Sequence, residues 1–149
     1  MSKKFAKTLE EKYGLSGKKG QSGETFFIDF YKAKGYSVIY NDDDIVLQSK
    51  GIDVTIVTSQ GSYTVDVKNN LTADGRIVVE IDSDGWLFNP KKKSEYISHV
   101  NTLTKKIVTY KRDKMKKYIE YHYWDLRSKF IYLPISELSF VKVEEGTKI

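Results

Sequence analysis

The stretch Ser62-Tyr63-Thr64-Val65-Asp66-Val67-Lys68-Asn69-Asn70 decides how this chain folds. Read as a β-strand, its side chains alternate between faces. Tyr63, Val65 and Val67 point one way, and Thr64, Asp66 and Lys68 point the other. An acid and a lysine two residues apart on one face of a strand suit chemistry at a phosphate. The carboxylate holds a hard divalent cation, and the ammonium stands beside an attacking water or a developing negative charge. A solvated strand face that carries both signs gives the same local pattern, so the neighbouring sequence decides.

Working outward, Gly51-Ile52-Asp53-Val54-Thr55-Ile56-Val57 has the same alternation and runs into Thr58-Ser59-Gln60-Gly61, a turn signal ending in glycine. The two runs read as a β-hairpin. Antiparallel pairing across a short turn brings Asp53, at the start of one strand, to Asp66-Val67-Lys68, near the end of the other. Two carboxylates and a lysine then meet at one edge of a sheet.

An acid, twelve intervening residues and then acid-x-lysine on hairpin strands resembles the PD-(D/E)xK nuclease superfamily. Ile52-Asp53 stands where that family has Pro-Asp, and Asp66-Val67-Lys68 where it has (Asp/Glu)-x-Lys. The missing proline is not a ligand, so no chemistry goes with it. The resemblance implies a restriction-endonuclease-like core and Mg²⁺ (or Mn²⁺) held by Asp53, Asp66 and the Val67 carbonyl, with Lys68 as the catalytic lysine. It also implies a glutamate on the helix before the sheet, and Glu24 is the matching position. Gly85-Trp86, followed by Lys93-Ser94-Glu95-Tyr96-Ile97, resembles the segment after the catalytic core in resolvase-like and phage-type members.

Bulk properties narrow the chemistry further. The 149 residues suit one domain, with residues 1–21 as a basic extension and flexible loop and 144–149 as a polar tail. With no cysteine and only His99 and His122, thiolate sites, disulfides and serine–histidine triads are excluded or disfavoured. A metal would be held by oxygen, which selects magnesium or manganese. No apolar run reaches the length of a membrane span and no signal-peptide core opens the chain, so the expectation is an intracellular protein of a bacterial or phage-infected cytoplasm, with no membrane partner.

The net charge of +5 is uneven: residues 91–129 carry 12 basic against 4 acidic side chains, and the rest 13 against 16. A basic half beside an acidic half fits an enzyme of nucleic acid, and equally a lysine-rich solubilising surface. Lys18, Lys19, Lys91, Lys92, Lys93, Arg112 and Lys116 are the candidate phosphate contacts.

The remaining pattern predicts a helix over residues 23–34 with Phe26, Phe27, Phe30 and Tyr31 as its apolar stripe and Ser22 as N-cap. Residues 14–23, with repeated glycine and serine, read as a loop. Strands are predicted at 35–41, 45–48, 76–82, 91–101, 105–110 and 129–134, and a helix at 112–122. Asp42-Asp43-Asp44 reads as a turn. Glu80 and Asp82 are exposed or supplement the metal site. This alternation gives an α/β (α+β) fold, a mixed central sheet flanked by helices. The expected activity is Mg-dependent hydrolysis of DNA phosphodiester bonds. The expected substrate is branched, as for a Holliday-junction resolvase or a phage-type nuclease, and is cut by a homodimer. The alternatives are an inactive nucleic-acid-binding module and a phage protein-interaction factor on the same fold.

Overall fold

The computed structural model describes residues 15–41, 44–126 and 128–146, with side chains from residue 23 onward. The side chains of Lys18 and Lys19, and Asp42 and Asp43 altogether, lie outside the described residues, as do the basic extension up to residue 14 and the tail from 147.

Helix α1 (Leu15–Ala33) begins well before the predicted start. Each glycine in a helix costs about 1 kcal/mol but does not break it as proline would, and the stretch 15–33 has no proline. Gly23 shows what a small residue allows here: an added Cβ would lie 2.8 Å from the Asn69 Cβ and 3.0 Å from Val100. The helix therefore presses its backbone onto the sheet at that point.

Strand β1 (Ser37–Tyr40) leads to a single-turn helix α2 (Ile45–Ser49) where a strand was predicted. The β-branched pair Ile45-Val46 favours a strand, but the Asp44 side chain accepts from the Leu47 N–H at 3.0 Å and caps a helix instead. Gly51 then turns the chain at φ 68°, a left-handed conformation that glycine adopts without strain.

The predicted hairpin follows. Strands β2 (Val54–Thr58) and β3 (Gly61–Lys68) pair antiparallel across Ser59-Gln60, with Val54 opposite Val65. Next come β4 (Arg76–Glu80), β5 (Tyr96–Asn101), β6 (Lys106–Lys111), helix α3 (Arg112–His122), β7 (Phe130–Pro134), a 3₁₀ turn (Ile135–Glu137) and β8 (Lys142–Glu145). The main sheet has six strands in the order β1-β2-β3-β5-β6-β8; β3 and β5 run parallel and every other pair antiparallel. β4 leaves it and pairs with β7 in a separate ribbon. This is a mixed-sheet α+β fold.

Period-two alternation sends the two faces of the sheet into two cores. On one face Phe27, Ile28 and Tyr31 of α1 pack over Val54, Ile56, Val65, Val67, Val100 and Ile107. On the other, Ile97, Val108 and Tyr110 meet Met115 and Ile119 of α3 and the inward face of the ribbon, Ile77, Val79, Ile131 and Leu133. Strand β3 is therefore covered on both sides at residues 65–67, where its polar face is shut off from solvent: Asp66 is only 1% exposed.

Candidate active site

The site is built where β2 ends and β3 continues. Asp53, one residue before β2, donates its N–H to the Val65 carbonyl at 3.0 Å. Its carboxylate Oδ2 accepts the Val67 N–H at 2.9 Å. Residues two apart in a strand face the same neighbour. The Val67 carbonyl therefore points, with its N–H, toward the space that β2 has vacated.

Asp66 shares the face that Asp53 looks onto. Lys68, one pleat further, brings its ammonium 3.3 Å from Asp66 Oδ1. Asp53, Asp66, Val67 and Lys68 thus come together, as the alternation and the short turn require. Asp66 Oδ2 is buried and meets no hydrogen-bond donor among the described residues. Beside it runs the backbone of Gly51, where an added Cβ would stand 3.5 Å from Asp66 Oδ2 and 3.2 Å from Lys92 Cδ.

Electrostatics mark the same spot. Burial, then the charge of Asp66 and a carboxyl–carboxyl hydrogen bond with it, then more weakly the charge of Glu24, push the Asp53 pKa up to about 8, although the Val67 N–H pulls the other way. Two buried acids thus share this spot, with the Lys68 ammonium the one cation in contact with them among the described residues. An orphaned carboxylate oxygen, two acids and a strand-end carbonyl form an all-oxygen donor set that fits a hard divalent ion. Among the described residues no three acid or histidine side chains converge as a complete metal cluster. Glu24 accepts a hydrogen bond from the Tyr40 hydroxyl, so it stands at the site's margin, where Gly23 lets α1 approach.

The candidate phosphate contacts divide. Lys92 reaches back to the Ser49 carbonyl (3.1 Å), and the Lys93 N–H donates to the Lys50 carbonyl (2.7 Å), which ties the basic loop to the turn at Gly51. Lys92, Lys93, Lys111 and Lys116 line a groove of about 510 Å³, and Lys91 is exposed beside it.

Arg112 is not a surface contact. It is 6% exposed, and its guanidinium donates to the carbonyls of Trp86, Leu87 (3.2 Å) and Ser94 (2.8 Å) and to Ser94 Oγ (2.6 Å). Five donors in a fixed fork suit that clamp. Its place at the start of an otherwise lysine-rich helix is what hid it. Glu80 and Asp82 converge on Gly85, where an added Cβ would meet their oxygens at 2.5 and 2.6 Å.

Sequence reasoning missed four residues around the site. Tyr40 bonds Glu24, and Gly51 leaves room beside Asp66. Trp86 lies under Lys68, with the ammonium 5.4 Å from its ring centroid, and His99 is wholly buried behind Trp86. Trp86 was the readable one among them, since Gly85-Trp86 already marks the segment after the motif strands, though not its place under Lys68.

No protein-family model matches the chain, and no curated protein matches it by sequence. The structure is similar to that of a bacterial homing endonuclease, I-Ssp6803I, at a TM-score of 0.51 and 14% sequence identity, over 77% of this chain and 72% of that one. The likeness is one of fold.

Proposed function

We propose that this chain is a metal-dependent DNA endonuclease of the PD-(D/E)xK type. One observation carries the reading: two carboxyl groups, Asp53 and Asp66, are buried together at the end of β3, with the Lys68 ammonium 3.3 Å from Asp66. Asp53, Asp66 and the Val67 carbonyl would hold a magnesium or manganese ion, with Glu24 joining directly or through water. Such an ion, when bound, polarises the phosphate and acidifies a water ligand.

The protein's own groups do the rest. Lys68, with three N–H donors and no acceptor, orients the nucleophile or holds a phosphate oxygen as negative charge builds on it. Tyr40 fixes the direction of Glu24. Lys91, Lys92, Lys93 and Lys116 bind the DNA backbone, so affinity falls steeply with salt. Because the basic surface is spread over a loop and a helix, the reading favours cutting selected by DNA structure, with branched DNA cut by a symmetric pair of chains.

The test uses labelled linear, single-stranded, nicked and four-way DNA in Mg²⁺ or EDTA. The parent protein should cleave only in Mg²⁺ and prefer the four-way substrate. Asp66→Asn and Lys68→Ala should each lose cleavage by on the order of a thousandfold while still binding DNA. Cleavage at the parent rate by Lys68→Ala in Mg²⁺ would overturn the assignment.

A second reading, an inactive nucleic-acid-binding module, is favoured by the engagement of Glu24 with Tyr40 and the lack of a three-acid cluster among the described residues. A magnesium titration that detects no binding, together with salt-sensitive DNA binding, would select it.

A further inference from the structure

Lysine is a poor tool for precise work unless something restrains it, because its four-carbon stem carries about 2 kcal/mol of rotamer entropy. The Lys68 side chain is 29% exposed, so burial alone does not hold it. Two contacts are visible on its ammonium: Asp66 Oδ1 at 3.3 Å and the indole face of Trp86, 5.4 Å from the ring centroid. The first is a contact that a bound cation would compete for, since the same carboxylate would be drawn toward the ion. The second does not titrate and does not bind hard metals. An ammonium over an indole face is held by the ring's quadrupole.

The indole is itself fixed. His99 meets it edge-on, with centroids 5.7 Å apart and planes at 63°. The Tyr110 hydroxyl donates to His99 Nε2 at 2.6 Å, and His99 Nδ1–H donates to Asn70 Oδ1. The direction follows from Asn70, whose Nδ2 donates to the Val78 carbonyl at 3.1 Å and so leaves Oδ1 as the acceptor. Burial pushes the His99 ring down to about 3, so it stays neutral and adds no repulsion toward the nearby ammonium. On the main-chain side, Arg112 holds the Trp86 carbonyl. A chain of contacts runs from Val78 in the ribbon, through Asn70, His99 and Trp86, to Lys68.

We propose that Trp86 is the positioning residue for Lys68: its indole face, held from behind by His99, keeps the ammonium aimed at the reacting phosphate once Asp66 is committed to a cation. The catalytic half of this inference rests on the endonuclease reading; the positional half does not.

The experiment has two arms. In the first, lysine side chains labelled at Cε are observed by NMR, with Lys68 assigned from the signal lost in Lys68→Met. The indole ring current should move the Lys68 Hε signals upfield of the other lysines. Trp86→Leu should return them to the common position, and Trp86→Phe should keep part of the shift. This arm needs no cleavage.

In the second arm, Trp86→Leu should lower kcat about tenfold with KM unchanged, the size of a partly desolvated cation–π contact. Trp86→Phe should recover most of that loss. A merely structural role would instead lower thermal stability and raise KM by loosening the lysine loop, without selective rescue by phenylalanine. Lys68 signals that are unshifted in the parent, or unmoved by Trp86→Leu, overturn the inference. So does a kcat that Trp86→Leu leaves intact. A parent protein that cuts no DNA fails the endonuclease reading alone, and the NMR arm then decides the position of Lys68.

Discussion

Two carboxylates are buried at different places in this sheet, and they are treated in opposite ways. Glu144, on the edge strand β8, is 7% exposed and receives the Tyr31 hydroxyl, the Lys34 ammonium at 2.5 Å and the Lys142 ammonium at 3.7 Å. Burial raises its pKa, but Lys34, Tyr31 and Lys142 more than offset that and hold the carboxyl below its usual range. Asp53, just before β2 and beside the end of β3, is 9% exposed and faces a second acid, with one main-chain N–H to oppose it; its pKa goes up to about 8. The fold can thus neutralise a buried acid with its own cations, as it does at Glu144. At Asp53 and Asp66 the one cation in contact among the described residues is Lys68, while the Arg112 guanidinium acts on Asp66 without an ion-pair contact. The deficit is local and sits at a strand end beside a glycine, which is the arrangement a divalent ion would complete.

The largest effect that tests this contrast is the pH dependence of the metal-free protein. In the unfolded chain Asp53 ionises near the ordinary 3.8, whereas the folded protein keeps the proton until about 8. Between those values the folded state binds more protons, so stability is fullest on the acid side and falls as pH rises. The melting temperature in EDTA should therefore decline across that window. Asp66→Asn removes the neighbouring charge and should flatten the decline; Mg²⁺ should also flatten it in the parent but not in the variant. A parent curve that rises over the same window would break the comparison.

Glu144 should behave with the reverse sign. Its folded pKa lies below the ordinary 4.5, so its contribution is present above that value and is lost as pH falls through the folded one. Glu144→Gln should flatten the acid limb and cost about 1–3 kcal/mol at neutral pH in a denaturant titration, the worth of hydrogen bonds to a charged group. The alkaline decline and its response to Mg²⁺ should be unaltered.

The two acids also differ in how far the sequence announces them. Asp53, Asp66 and Lys68 are legible because everything that gathers them is local: alternation along two strands and a two-residue turn. The six-stranded sheet is legible as a class, but the departure of β4 to pair with β7, leaving β3 parallel to β5, depends on contacts far apart in the chain. Glu144 falls where the sequence reads as a polar tail, since its partners Tyr31 and Lys34 lie 113 and 110 residues away. Arg112 was misread for a related reason. A basic residue beside lysines carries a surface expectation, and only the carbonyls of Trp86, Leu87 and Ser94, brought close by the fold, make it an internal clamp.

The smallest effect concerns a third acid, and it separates local from distant causes. Asp44 is exposed and needs no cation; its carboxylate caps α2 through the Leu47 N–H. The turn expectation holds at Asp44, whose N–H donates to the Asn41 carbonyl at 3.3 Å; what the sequence hid is that the same residue caps a helix, because a cap and a turn use the same kind of side-chain-to-backbone bond. Asp44→Ala should cost about 1 kcal/mol, the usual worth of such a cap. Since α2 leads into Gly51 and hence to the orphaned oxygen of Asp66, the loss should show as faster amide exchange at residues 47–52 without a change in the alkaline decline. If the decline changed as well, the charge deficit at Asp53 and Asp66 would depend on the turn before β2, and not only on the two carboxylates themselves.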